Sequence, residues 1–528
     1  MDISYDDPCY NDSDFHKSMC PTNEDSTKET NSTHLEEIKT TPLFSAQVLA
    51  KVLQYEETQK TTLGDTLRAY GFLARTLETF NDESRLSIPT AAQNPTSDRD
   101  RHGTLGPTQR EPQELKDDRL MVNMNAPWMA TMPKKLAGIV FHYDKLMSGS
   151  STQVCEAAYL ASKIPVTVLV APTEYEKMKK TYENLPGLEG RGTLEVKALL
   201  LHEKHLDVER IKRLMAVEET EGKMALYIES VLRILRSMAL QKQKQDQERN
   251  QKQDQKNSGF NFGEFEQRIE AENFTPGQKV PLTARLSLLK SFIWRGKAQG
   301  SEFQFRGSKK EQFEEQDEKL ISEMGDESAW SFEPGTLTII DLSSAFVDER
   351  TACLLFDICL SIFIDNREKA GRIVALDEAL KFMTANNSSS QFTENLLRVI
   401  RQQRHMATRV IIATQEPTIS PALLDLCSMT IVHRFTSRQW MTALKSHLAA
   451  VTVDGEGSRG NAEEIYRHIV HLDAGQALVF SPSAMLSVDE RSNPEKLRMR
   501  KLGTGYVKMQ VRQRLTVDGG RSQLAVET

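Results

Sequence analysis

The sequence of 528 residues is 39% hydrophobic and 27% charged, so it can bury a sizeable core in two or more folding units. Its formal net charge is -7, so the chain lacks the overall basic charge of a constitutive nucleic-acid binder. A local basic patch would still allow contact with DNA. The six cysteines form no CxxC pair and no Cys/His cluster at metal-ligand spacing, which argues against a zinc module or a disulfide framework.

The start of the chain, MDISYDDPCYNDSDF, is acidic and polar and is unlike a signal peptide. The longest strongly apolar run, residues 352–364, is too short to span a membrane and contains Asp357. We therefore expect an intracellular protein, cytoplasmic or nuclear, with no membrane partner.

Changes in composition along the chain predict its organisation. Residues 1–42 are rich in Ser, Thr, Asn, Asp and Glu, which is typical of a disordered tail. Residues 43–85 place apolar side chains three and four positions apart, which predicts amphipathic helices. Residues 86–118 read as a linker because they are rich in Pro, Gly, Thr and charged side chains. We expect one domain over 119–515 and a C-terminal tail over 516–528.

From residue 136 onward, strand-like apolar runs alternate with helix-like segments, which indicates an α/β fold with a mostly parallel sheet. We predict helices at about 349–366 and 391–404, and a helical, low-complexity insertion at about 206–334. We expect all the strands to join one sheet. The predicted strands are LAGIVFHYD (136–144), PVTVLVAP (165–172), LEVKALLL (194–201), TLTIIDLS (336–343), GRIVALDE (371–378), TRVIIATQ (408–415), MTIVHRF (429–435) and QALVFSP (476–482).

Two neighbouring strands of this series end in polar residues. RIVALDE delivers Asp377 and Glu378, the arrangement in which P-loop nucleotide hydrolases hold Mg²⁺ through water and polarise the attacking water. A buried strand followed by an acidic helix cap is the simpler interpretation of this motif alone. RVIIATQ places Thr414 and Gln415 at the carboxyl end of the next strand, where open α/β sheets bind ligands and an amide can sense a γ-phosphate.

The segment between these strands carries Arg398, Arg401 and Arg404, which recur every three residues and so share a face of the predicted helix. Guanidinium groups can stabilise the transferring phosphoryl of a nucleotide held by a neighbouring subunit. A solvated or salt-bridged helix face is an equally good interpretation of any one of them.

These segments carry a family resemblance. TIIDLSSAF, GRIVALDEALKFM, LLRVIRQQRHMATRVIIATQEPTISPALLDLCSMTIVHRF and GQALVFSP resemble, in this order, the C-terminal half of HerA/FtsK-like P-loop ATPases, including relatives in conjugation and type IV secretion. From MVNMNAPW through GIVFHYDK, SSTQVCEAAYL and YENLPGL, the chain is similar to a group of P-loop NTPase-like proteins of filamentous fungi. The resemblance covers about residues 119–515.

The resemblance implies a RecA-like P-loop NTPase fold, Mg²⁺ and ATP as the cofactors of any nucleotide site, and a motor core. In many relatives that core is a hexameric ring acting on DNA, so a homo-oligomer or a paralogous ATPase is the implied partner. It also implies Walker B-like and catalytic roles for the residues at the two strand ends and on the intervening helix. These are Asp377 and Thr414 for cofactor and metal binding, and Glu378, Gln415, Arg401 and Arg404 for catalysis.

One part of the family pattern is missing. The Walker A motif, GxxxxGK followed by Ser or Thr, occurs nowhere in the sequence. Its glycines let backbone N–H groups converge on the phosphates, its Lys supplies charge and its hydroxyl holds magnesium. In the relatives it would follow the segment matching VNMNAPW, but here Trp128 leads directly into MATMPKKLAGIVFHYD. We therefore expect the sheet to lack its usual central strand and the helix after it.

The free energy lost with the phosphate contacts of the Walker A motif determines how much ATP binding and hydrolysis we expect. Charge-assisted hydrogen bonds contribute about 1.5 to 3 kcal/mol each, and every 1.4 kcal/mol is about tenfold in affinity. Three hypotheses remain open. The first is that the ancestral function was that of a DNA translocase-like motor and that this chain has little or no ATP hydrolysis. The second is a pseudo-ATPase that docks on an active paralogue, and the third is an incomplete gene model of an active ATPase.

Overall fold

The structure is a computed structural model that describes residues 41–45, 47–48, 50–52, 70–80, 119–123, 135–145, 154–188, 193–215, 226–250, 260–294, 319–321, 323–366, 371–381, 383, 387–403, 405–448, 458–488 and 499–511. The chain divides into two compact units. The first consists of Met1–Pro133 and Cys427–Arg512, and the second consists of Lys134–Leu426 and Gln513–Thr528.

The described strands are numbered in chain order. They are β1 Leu43–Ser45, β2 Tyr70–Phe80, β3 Arg119–Asn123, β4 Ala137–His142, β5 Val166–Val170, β6 Leu194–Ala198, β7 Leu201–His202, β8 Ile293–Trp294, β9 Leu337–Asp341, β10 Arg372–Leu376, β11 Thr408–Ile412, β12 Thr430–Val432, β13 Gln476–Phe480, β14 Met485–Val488, β15 Met499–Lys501 and β16 Tyr506–Val511.

The α-helices whose full bounds are described are numbered in the same way. They are α1 Tyr175–Glu183, α2 Val208–Leu214, α3 Leu226–Asn250, α4 Phe262–Glu270, α5 Pro276–Lys290, α6 Glu349–Asp365, α7 Asn387–Arg401, α8 Pro421–Leu426, α9 Arg438–Lys445 and α10 Ser458–Val470. None of the helices in the described part of the chain is both long and apolar enough to cross a membrane.

The second unit is built on a sheet with six described strands in the order β11-β10-β4-β9-β5-β6. Every pair in it is parallel, and helices separate the strands along the chain. The predicted α/β class with a mostly parallel sheet is confirmed, and its RecA-like P-loop NTPase type stays a prediction. The inner strand β9 is fully buried on both faces, because parallel sheets are covered by helices on each side.

Aromatic side chains join one face of this sheet to its helices. Phe141 of β4 lies 5.0 Å from Phe356 of α6 and 5.7 Å from Phe392 of α7, measured between ring centroids. All three rings are buried. Helix α6 is apolar almost all round its circumference, and it begins at Asp348, whose carboxylate accepts a hydrogen bond from the Thr351 amide at 2.8 Å.

The predicted insertion, 206–334, contains α2 to α5 in the structure. Helix α2 is attached to α6 by a buried ion pair, in which Arg213 Nη1 donates to Asp357 Oδ2 at 2.5 Å. Asn395 of α7 donates to the other oxygen of Asp357 at 2.6 Å. Asp357 is only 2% exposed, so burial raises its pKa, while Arg213 and Asn395 act in the opposite direction.

The first unit contains a different kind of sheet, with eight described strands in the order β12-β13-β16-β2-β3-β1-β14-β15. All of its pairs are antiparallel except β1 with β14. The predicted strands 429–435 and 476–482 are β12 and β13 of this sheet, so the expectation of a single sheet is wrong. Their alternation with helices looks like the parallel pattern, but β13 pairs antiparallel with both β12 and β16.

The amphipathic helices predicted over 43–85 are wrong where the structure describes strands, at β1 and β2. Within the described part of that segment, helical residues occur only at 47–48 and 50–52. The eleven residues of β2 pair with β3 on one side and β16 on the other. This pairing outweighs the local apolar spacing, because strand formation is decided mainly by cross-strand neighbours.

The observed division also differs from the predicted domain of 119–515, since 119–123 and 427–511 belong to the first unit. The predicted linker 86–118 and tail 516–528 lie outside the described residues, as does the predicted tail 1–42 apart from its last two residues.

The buried ion pair between α2 and α6 generates a prediction for stability. Asp357→Ala should lower the free energy of unfolding by about 3–5 kcal/mol, because it leaves Arg213 without its buried partner. Asp365→Ala is the matched control on the same helix, since Asp365 pairs with Arg210 but is 66% exposed, and it should cost at most about 1 kcal/mol. Urea unfolding of the full chain measures both, and equal losses would contradict this account.

Candidate functional site

The carboxyl edge of the parallel sheet gathers the polar groups of the second unit. Strand β10 pairs in register with β4 and with β11, so that Leu376 lies beside both Phe141 and Ile412. Residues that follow these strands therefore lie at one level of the sheet, which is the edge where open α/β sheets bind ligands. The sheet places His142, Asp377 and the ATQ segment at this edge.

Asp377 lies next to two buried side chains. Its amide donates to the Phe141 carbonyl at 3.0 Å, which continues the β10–β4 ladder by one step. Its Oδ2 lies 3.1 Å from Nδ1 of His142 and accepts a hydrogen bond from the Cys155 thiol at 3.7 Å. Burial first, and then the negative charge of Asp377, raises the pKa of Cys155 well above its usual value. Asp377 itself is 34% exposed, so one side of its carboxylate group reaches solvent.

Glu378 and Gln415 lie together, as the sequence predicts for the ends of adjacent strands. Gln415 Nε2 donates to Glu378 Oε1 at 2.6 Å. The two strand ends are also joined through their backbones, because Ala379 N donates to the Ala413 carbonyl and Ala413 N to the Leu376 carbonyl, both at 2.9 Å. Glu378 has a φ of 53°, which is rare outside glycine and costs on the order of 1–3 kcal/mol. The carboxylate is thus held by a strained turn and an amide.

Thr414 makes a local contact. Its Oγ1 donates to the carbonyl of Glu416 at 2.9 Å, within its own loop. The hydroxyl therefore stabilises the turn after β11 and orients Gln415, which is the next residue. Its predicted role in holding a cofactor stays a prediction.

The predicted Arg401 is not close to these carboxylates. Helix α7 leads from the carboxyl edge back to the start of β11, and Arg401 is an exposed residue at its end. The Thr408 amide donates to the Gln403 carbonyl at 3.0 Å, so the end of α7 lies at the amino edge of the sheet. Arg401 therefore lies at the opposite edge from Glu378. The predicted Arg404 lies outside the described residues, so its role stays a prediction.

The sequence analysis missed four side chains at this edge, those of His142, Cys155, Tyr182 and Asp341. Tyr182 of α1 donates its hydroxyl hydrogen to Oδ2 of the fully buried Asp341 at 2.6 Å, and the Cys155 amide donates to the Tyr182 oxygen at 3.0 Å. Asp341 also accepts from the Ser343 amide at 3.0 Å. Asp341 ends the apolar strand of TLTIIDLS, so the signal that identified Asp377 could also have identified Asp341.

The sheet has no gap in its interior. Strand β4 pairs with β10 on one side and β9 on the other, so the expectation that a central strand would be lacking is wrong for the described ladder. Strand β11 is the outermost strand on its side of the sheet and pairs, among the described residues, with β10 alone. Its Ile411 is 56% exposed. The glycine-serine segment 148–152 follows β4 and lies outside the described residues.

Comparisons with known proteins find similarity only among solved structures. No protein family and no curated protein matches the chain. The genome packaging NTPase B204 from Sulfolobus turreted icosahedral virus 2, in complex with ATP-gammaS, is 11% identical with a TM-score of 0.20, and the match covers 33% of this chain and 70% of that one. VirB4 of Thermoanaerobacter pseudethanolicus is 9% identical with a TM-score of 0.38, and the match covers 72% of this chain and 90% of that one.

The buried hydroxyl of Tyr182 generates a prediction. Tyr182→Phe should lower the free energy of unfolding by about 1–3 kcal/mol, because it removes a donor from buried Asp341 and an acceptor from the Cys155 amide. Tyr175→Phe on the same helix is the control and should change stability by about 0.5 kcal/mol or less, since no hydrogen bond of its hydroxyl is found among the described residues. Thermal unfolding distinguishes the two, and a silent Tyr182→Phe would show that the network is not formed.

Proposed function

We propose that the chain is a HerA/FtsK-like P-loop NTPase-like protein that keeps the metal-and-water half of a nucleotide site and lacks the phosphate-binding half. Its ancestral function in this proposal is that of an ATP-driven, DNA translocase-like motor, and its own ATP hydrolysis is weak or absent. The observation that carries the proposal is the hydrogen bond of 2.6 Å between Glu378 and Gln415 at the ends of adjacent parallel strands.

The residues at the carboxyl edge suit the first half of such a site. Carboxylate oxygens are preferred ligands of Mg²⁺, and Asp377 is partly exposed beside the held carboxylate of Glu378. In a complete site of this kind Asp377 would hold Mg²⁺ through water, Glu378 would orient the attacking water, and Gln415 would keep Glu378 in place and sense the terminal phosphate.

The second half of the site does not fit a triphosphate. No GxxxxGK followed by Ser or Thr occurs in the sequence, so the glycine cradle and its Lys are missing. The two acidic side chains cannot substitute for it, because carboxylates repel phosphate oxygens. Each lost charge-assisted hydrogen bond removes about 1.5–3 kcal/mol, so nucleotide affinity should fall by orders of magnitude. We therefore assign no hydrolytic step to this chain.

ATP hydrolysis tests the proposal. The purified chain with ATP and Mg²⁺ should hydrolyse no faster than Glu378→Gln, since the catalytic carboxylate has no bound phosphate to act on. A rate at least tenfold above that of Glu378→Gln, with Glu416→Gln unchanged as the matched control, would contradict the proposal. Tight, magnesium-dependent binding of a labelled ATP analogue would contradict it as well. An in-frame Walker A motif in the gene between the codons for Trp128 and Met129 would instead favour the incomplete gene model.

A second candidate function is a pseudo-ATPase that docks on an active paralogue and supplies an arginine. The observation that favours it is the exposure of Arg401 at the edge opposite Glu378, where it cannot serve its own site but remains available to a neighbour. Arg401→Ala should then lower the turnover of a co-purifying paralogue about 10³-fold or more. Arg434→Ala, at another exposed arginine, is the control, and unchanged turnover with Arg401→Ala would remove this candidate.

A further inference from the structure

Three potential metal ligands of different chemistry meet at the carboxyl edge of the parallel sheet. One ligand atom from each of His142, Cys155 and Asp377 lies within 4.8 Å of the other two. We propose that these side chains form a binding site for a thiophilic divalent cation, of which Zn²⁺ is the best match. The site goes beyond the proposed NTPase function, which uses Asp377 for magnesium and gives His142 and Cys155 no role.

The two donor separations that involve Asp377 are close to those of tetrahedral coordination, and the third, between a ring nitrogen of His142 and Cys155 Sγ, is within 4.8 Å. With bonds of about 2.0–2.3 Å to nitrogen, oxygen and sulfur, two ligands of one tetrahedral Zn²⁺ are about 3.3–3.7 Å apart. The observed separations are 3.1 Å from His142 Nδ1 to Asp377 Oδ2 and 3.7 Å from Cys155 Sγ to the same oxygen. Small rotations of the side chains are therefore enough to place a cation among them.

The three ligands are carried by separately anchored elements. His142 ends β4, and its carbonyl accepts from the Leu342 amide at 3.2 Å. Asp377 is tied to β4 by its own amide, as described above. Cys155 is fixed by the hydrogen bond from its amide to Tyr182, whose hydroxyl is bonded in turn to Asp341. Ligands held by such surrounding contacts lose little freedom when a metal binds, which favours affinity.

The donor set distinguishes zinc from magnesium. Zn²⁺ is bound by thiolate, imidazole and carboxylate, whereas Mg²⁺ prefers oxygen ligands in an octahedron. Three protein ligands leave a fourth tetrahedral position for water or another small ligand. His142 and Cys155 are buried while Asp377 is partly exposed, so solvent reaches the cluster from the side of Asp377.

Charge is balanced when the metal binds. Without metal the buried thiol donates a hydrogen bond to Asp377 Oδ2. When Zn²⁺ binds, a zinc–sulfur bond forms and the thiol proton passes to solvent. The ring proton of His142, which faces Asp377 from Nδ1 without metal, moves to Nε2 when Nδ1 binds the cation. One thiolate and one carboxylate then neutralise the two positive charges of the cation.

The competing interpretation is that the three side chains form only a hydrogen-bonded group. It predicts no metal affinity, and cobalt distinguishes the two because Co²⁺ replaces Zn²⁺ in tetrahedral sites and is coloured there. The metal-free full-length chain is titrated with Co²⁺ without nucleotide. We expect a thiolate-to-cobalt charge-transfer band and tetrahedral d–d bands that saturate at one equivalent and disappear when Zn²⁺ is added.

Variants test whether the cobalt absorption bands arise from metal bound by these three side chains. Cys155→Ser should abolish the charge-transfer band and weaken binding by more than about 100-fold, beyond the 10- to 100-fold effect of residues that only support ligands. Cys427→Ser, at an exposed thiol, is the matched control and should leave the spectrum unchanged. Asp377→Asn, at a partly exposed position, should also weaken binding and serves if Cys155→Ser fails to fold. Zn²⁺ should raise the melting temperature of the wild-type chain and of Cys427→Ser only.

Three results would overturn the proposal: no cobalt bands with folded protein, bands that persist in Cys155→Ser, or displacement of Co²⁺ by an equal concentration of Mg²⁺. None of them bears on ATP hydrolysis, which is measured separately with Glu378→Gln. Failure of the zinc site and failure of the proposed function are therefore distinguishable.

Discussion

The in-register, parallel pairing of β10 with β4 and β11 is the constraint on which the candidate site depends. Because Leu376 lies beside Phe141 and Ile412, the residues that leave the three strands are brought to one level. His142, Asp377, Glu378 and the ATQ segment meet there without any long loop having to position them. A shift of one residue between β10 and β11 would separate Glu378 from Gln415, and a shift between β10 and β4 would separate Asp377 from His142.

The same edge combines two kinds of chemistry around one carboxylate. Asp377 is partly exposed and is followed in the chain by Glu378, which Gln415 holds, and this acidic pair suits oxygen-bound metal and water. On its buried side it contacts an imidazole and a thiol, which suit a softer cation. A metal held by His142 and Cys155 would occupy the carboxylate that a magnesium site requires, so the two uses of Asp377 exclude each other.

The strands of the parallel sheet could be predicted from sequence because each is a short apolar run with a polar end, as GRIVALDE and TRVIIATQ illustrate. The meeting of Glu378 and Gln415 could also be predicted, since it follows from two adjacent parallel strands. The strand β2 could not, because its partners β3 and β16 lie far along the chain and its local spacing resembles that of a helix. His142 and Cys155 were missed for the same reason, being 235 and 222 residues from Asp377.

Because β11 is the outermost described strand on its side of the sheet, a further strand can be gained or lost beside it during evolution. Its hydrogen bonds toward β10 are complete, and among the described residues no strand joins its outer side. An exon-sized segment that folds as one more strand could dock there or be deleted without breaking any existing ladder. The geometry of Asp377, Glu378 and Gln415 would survive either event, because it is set entirely by strands further inside the sheet and by β11 itself.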